Sequence, residues 1–169
     1  MFCNLLKDHI LDWCAEEDSI NWEATTHLFL RSTIPSLSEI TTQEARLKEV
    51  GYTFPPELKA FWQEIGCGYL CSNEMLDNGL EEPHTILDIY FQEGDWQHVH
   101  FTCDILANNE LPFFRVNSLN YLTIGLEPGV NLGKIYCCGE EIAPSLTAFV
   151  EHLLQDTNYY TNLKLIQSV

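Results

Sequence analysis

The spacing of apolar residues changes near residue 110 of this 169-residue chain, and that change bounds the fold more tightly than any other feature. Before it, apolar positions recur every three to four residues, the period of one helix face. After it, Phe113, Phe114 and Val116 form one short run, Tyr121, Leu122, Ile124 and Leu126 another, and Leu132, Ile135, Tyr136 and Cys137 a third. Turn residues separate the runs at 117–120 and 127–133, a layout that predicts three short antiparallel strands in a meander. From Pro144 or Ser145 the helical period returns, with Leu146, Phe149, Val150, Leu153 and Leu154 inward. The expected architecture is α+β: N-terminal helices, a small antiparallel meander sheet packed on them and a C-terminal helix, in a single domain over 1–169.

Local signals place the helices. Leu5, Leu6, His9, Ile10, Trp13 and Cys14 predict an amphipathic first helix, with Lys7, Asp8, Asp12 and Glu16 facing away. Glu16, Glu17 and Asp18 then oppose the macrodipole at its C-terminus; Asp18 or Ser19 alternatively caps a second short helix through Trp22 and Leu28. Pro35 and its flanking serines read as a connection. Thr41 and Glu44 stand at capping-box spacing, and Gly51 ends the helix they open. Pro55 and Pro56 form an elbow into a helix bearing Leu58, Phe61, Trp62 and Ile65 on one face, stopped by Gly66 and Gly68. The polar stretch from Cys71 to Pro83 predicts a surface loop carrying Glu74, Asp77, Glu81 and Glu82. Ile86 to Phe91 predicts a short apolar helix ending near Gly94, and Asp95 caps another that runs towards Asn108.

Charge narrows the function. Eight Lys and Arg against 25 Asp and Glu leave a formal charge of −17, and the basic residues form no patch. Direct binding of nucleic acid or of an anionic membrane surface is therefore not expected, since both need clustered cations. The N-terminus lacks the apolar run of a signal peptide and no transmembrane segment is evident, which places the chain in the cytoplasm by expectation. Seven cysteines, odd in number and mostly in apolar stretches, suit small buried hydrophobes in a reducing compartment.

Catalytic and metal chemistry find little support. A zinc site would combine Cys67 or Cys71 with Cys137 or Cys138 and His98 or His100, but the usual paired ligand loops are missing. His98 and His100 are expected at the surface or at a cap. Adjacent carboxylates such as Glu81 and Glu82, or Glu140 and Glu141, point apart on a helix or strand and cannot close on one substrate. No metal, no other cofactor and no enzyme activity are expected.

The run "VGYTFPPELKAFWQEIGCGYL", with its helix-ending Gly, Pro-Glu-Leu elbow and aromatic helix, resembles the SUKH superfamily (Smi/Knr-like). The run "LPFFRVNSLNYLTIGLEPGVNLGKIYCCGEEIAPSLTAFVEHLL" is similar to that family's C-terminal order: Leu-Pro strand, Tyr strand, Ile-Tyr strand and Ser-Leu-x-x-Phe helix. The match covers 38–154 and leaves 1–37 as an N-terminal helical part. It implies a non-enzymatic binding protein: in bacteria an immunity protein that neutralises a cognate toxin, in fungi a regulator of cell-wall synthesis. A basic nuclease, or another toxin acting on nucleic acid, is the partner class the acidity suits. A regulatory or scaffold module for an endogenous partner is the alternative, and −17 can also serve solubility alone. Candidate partner-binding residues are Glu16, Glu17 and Asp18; Asp77, Glu81 and Glu82; Glu93, Asp95 and Trp96; and Glu140 and Glu141, acids mixed with an aromatic as interface centres require. The oligomeric state is left open.

Overall fold

The computed structural model describes residues 1–12, 29–70, 78–100, 109–117, 120–157 and 159–160. Its elements are α1 (Phe2–Leu6), β1 (Ile10–Asp12), β2 (Phe29–Thr33), α2 (Leu37–Glu49), α3 (Pro56–Glu64), β3 (Cys67–Leu70), β4 (Gly79–Leu80), α4 (Pro83–Phe91), β5 (Glu110–Asn117), β6 (Asn120–Gly125), β7 (Ile135–Cys137), β8 (Glu140–Ala143) and α5 (Leu146–Gln155). The strands make one eight-stranded sheet in the order β1 to β8. All neighbours pair antiparallel except β1 with β2. The α+β architecture with a closing helix is thus as expected, while the sheet extends well beyond the meander.

Local chemistry explains the helix ends. Ser36 caps α2 by accepting from the Glu39 amide at 3.1 Å, so the capping pair is Ser36 and Glu39. Thr41, expected at the cap, lies inside the helix, its hydroxyl bonded to the Leu37 carbonyl at 2.7 Å. Gly51, at φ 89°, ends α2 in a left-handed conformation that an L side chain resists. Pro56 opens α3, where its missing amide costs no helical bond. Ser145 caps α5 through the Ala148 amide at 3.1 Å.

The core lies between the helices and one face of the sheet. Phe2, Phe54, Trp62, Phe113, Phe149 and Tyr160 are among its fully buried side chains. Phe2 and Phe29 both pack edge-on against Phe61, with centroids 5.0 and 5.8 Å away.

Several expectations need correction. The first helix stops at Leu6, and Ile10–Asp12 instead joins the sheet beside β2, where its amides and carbonyls find partners. The expected loop before Pro83 contains β4, which seats Gly79 and Leu80 between β3 and β5. Beyond α4, Gln92 at φ 54° closes the helix, and Asp95 belongs to a single 3-10 turn over Gly94–Trp96. The remainder of that predicted helix lies outside the described residues, as does the predicted short helix after Asp18. His98 and His100 are exposed. Among the cysteines, Cys67 and Cys137 are buried free thiols and Cys3 is an exposed one. Cys138 is disulfide-bonded, which departs from the expectation of reduced core thiols.

Candidate partner-binding site

Glu81 and Glu82 occupy the bend between β4 and α4, in the wall of a polar pocket. Leu80 pairs with Phe114, and the Glu81 amide donates to the Phe113 carbonyl at 3.1 Å, so the chain leaves the sheet beside β5. Pro83 then starts α4. The Glu81 carbonyl, on the core side, accepts from the Trp62 indole at 3.1 Å. Its carboxylate turns the other way. Oε1 lies 2.9 Å from Arg115 Nε, an ion-pair distance without hydrogen-bond alignment, and accepts from the Tyr121 hydroxyl at 3.5 Å.

Register explains why these groups meet. Leu30, Tyr69, Gly79, Arg115 and Tyr121 form one cross-strand row over five strands, so all five positions share the sheet face turned away from the main core. At Gly79 the row has no side chain. A Cβ there would sit 2.1 Å from the Gly68 carbonyl oxygen, so close strand approach requires glycine. The result is a polar pocket of ≈ 240 Å³ whose walls include Ser32, Gly68, Gly79, Glu82, Thr85 and Arg115. Trp96 extends the patch, its ring edge-on to Tyr121 at 6.2 Å.

The electrostatics are uneven. Burial above all, and then the neighbouring Glu82, hold the Glu81 carboxyl above its ordinary range despite the pull of Arg115. Glu82 accepts from the Thr33 hydroxyl at 2.7 Å and lies 3.5 Å from His84 Nδ1, which also faces Glu39 at 3.5 Å. Among the described residues no Lys or Arg pairs with Glu82. Cys67, at the pocket wall, has its thiol pushed up by burial and then by Glu82, which disfavours the thiolate a nucleophile needs.

The other expected residues are dispersed. Glu93, at the far end of α4 about 13 Å away, binds Arg46 at 2.7 Å, and Arg46 also holds Asp88 at 3.1 Å. This triad ties α4 to α2. Asp95 is exposed on the following turn. Glu140 and Glu141 lie on β8, four strands from β4 and so about 19 Å away, with Glu141 bound to Lys134 at 2.9 Å. Their position suits charges that discourage strand addition at a sheet edge. Glu16, Glu17, Asp18 and Asp77 lie outside the described residues. Of the expected set, the structure therefore brings together Glu81, Glu82 and Trp96. Arg115, Tyr121 and Thr33 were not expected; the one available signal was Arg115, a lone cation inside the apolar run Phe113 to Val116.

Residues 35–152 match the SMI1 / KNR4 family (SUKH-1). The chain belongs to the SUKH-1 family. It is 28% identical over 121 residues to the immunity protein YxxD of Bacillus subtilis (strain 168), covering 69% of this chain and 80% of that protein. No solved structure matches it. The SUKH-1 match spans α2 to α5 and so includes every described residue of the pocket except Ser32. Among the described residues of this SUKH-1 chain, no helix is long and apolar enough to cross a membrane, and no three His, Cys, Asp or Glu are grouped to hold a metal.

Proposed function

We propose that this protein is a cytoplasmic immunity protein that neutralises a cognate toxin domain by binding it through an acidic surface, without catalysis or a cofactor. Family membership and the similarity to an immunity protein support this function. The observation that carries the acidic mechanism is the charge of −17 joined to a polar pocket edged by two glutamates. A basic toxin domain acting on nucleic acid is the partner such a surface steers at high rate.

The test is a pull-down of the tagged protein from its native host, washed at low and then high salt. Retention of a basic toxin domain that high salt weakens supports both neutralisation and charge steering. Salt-indifferent retention of a toxin keeps the first and removes the second. Recovery of endogenous proteins only would replace immunity with a scaffold role. Protection of a sensitive strain against the captured toxin completes the test.

A further inference from the structure

The pocket beside Glu82 has a size and a charge that together specify what enters it. Its ≈ 240 Å³ falls below the ~300–1,000 Å³ of sites that enclose a whole drug-sized ligand, and suits one protruding side chain. Glu81, Glu82 and Arg115 sum to one negative charge, and the Arg115 charge already faces Glu81. Glu82 is the carboxylate that remains for an incoming group. Gly68 and Gly79 contribute backbone alone to the pocket's lining.

A long cationic side chain brings the complementary charge to the Glu82 carboxylate. A guanidinium fits better than an ammonium, because a planar fork can meet Glu82 and adjacent carbonyl or hydroxyl oxygens together.

We infer that this pocket is a socket for a single arginine presented by the toxin domain, with Glu82 as its counter-charge. This rests on the immunity function proposed above and names the chemistry by which that partner is held. Arrival of the guanidinium also offsets the like-charge repulsion between Glu81 and Glu82 that contributes to the raised Glu81 titration.

Two measurements test the socket separately from the immunity function. In the first, the isotope-labelled protein is titrated with N-acetyl-arginine amide and, in parallel, with its uncharged analogue N-acetyl-citrulline amide while backbone amide resonances are followed. Saturable shifts at Gly68, Gly79 and Glu82 with arginine alone support the socket, and Glu82→Gln weakens them about fivefold or more. Shifts spread equally to Glu140 and Glu141, or equal shifts from citrulline, overturn it. In the second, the toxin domain recovered by pull-down is bound to Glu82→Gln and to Glu141→Gln. Loss of affinity in the first but not the second supports the socket, provided their unfolding curves overlay the parent's. A toxin bound equally by all variants overturns the socket while immunity stands. Specific arginine binding without any recovered toxin would retain the socket and remove immunity.

Discussion

Glu57, in the first turn of α3, accepts two hydrogen bonds from Thr147, 90 residues later in the first turn of α5: the amide at 3.1 Å and the hydroxyl at 3.0 Å. A carboxylate from one helix thus satisfies the N-terminus of another and sits where the macrodipole favours negative charge. Glu57→Ala is expected to lower stability by about 1–2 kcal/mol, with Glu57→Gln recovering part of the loss. Chemical denaturation of the two variants checks this; equal stability for Ala and parent would remove the cap.

Trp62 does two jobs at the back of the bend. Its ring is fully buried and edge-on to Phe54 at 5.0 Å, while its indole donates to the Glu81 carbonyl. Trp62→Phe keeps most apolar burial but removes the donor, at an expected cost of about 1–3 kcal/mol. Trp62→Leu should cost more through the added cavity. If thermal unfolding ranked Phe and Leu equally, the hydrogen bond would contribute nothing measurable.

Gly79→Ala directs a methyl group at the Gly68 carbonyl oxygen 2.1 Å away, and backbone atoms cannot swing aside as a flexible side chain can. The expected loss is about 2–4 kcal/mol, with β4 displaced. Gly129→Ala is a useful contrast. Nothing lies within 4 Å of a Cβ there and only its φ of +78° resists, so roughly 1–2 kcal/mol is expected. Urea unfolding that ranked Gly129→Ala as the more damaging would contradict the close-approach geometry.

Protonation of Glu81 couples to folding with a definite sign. Burial raises its folded value above the ordinary 4.5, so between those two values the native state binds more protons than the unfolded chain. This contribution to stability is fully present below about 4.5 and fades as pH rises through the folded value. Glu81→Gln removes the slope. Across that window the parent's melting temperature should fall more with rising pH than that of Glu81→Gln; parallel curves would mean that Glu81 does not titrate anomalously.

Legibility in the sequence followed the range of the interactions. Gly51, the Pro55–Pro56 elbow and the Ser145 cap act within a few residues, so their roles could be read without the fold. Ile10–Asp12 and Gly79–Leu80 could not be read, because three or two residues do not complete an alternation and their strand character comes from neighbours at 29–31, 68–69 and 114–115. The pocket shows the same division. Glu81, Glu82 and Trp96 were visible as charge and aromatic surface, whereas Arg115 and Tyr121 join them only through cross-strand register. Glu140 and Glu141 looked equivalent to Glu81 and Glu82 as adjacent acids, and only strand order separates the pairs.

Because the strand order in space repeats the order along the chain, each strand's partner is the one made just before it. During synthesis the sheet can grow from β1 towards β8 with no strand waiting for a distant mate, and α5 arrives last to cover Phe113 and Phe114 through Phe149. Until the ribosome delivers Phe149 those two phenylalanines lack that cover, so the interval before α5 emerges is when the nascent chain is most prone to associate with other chains.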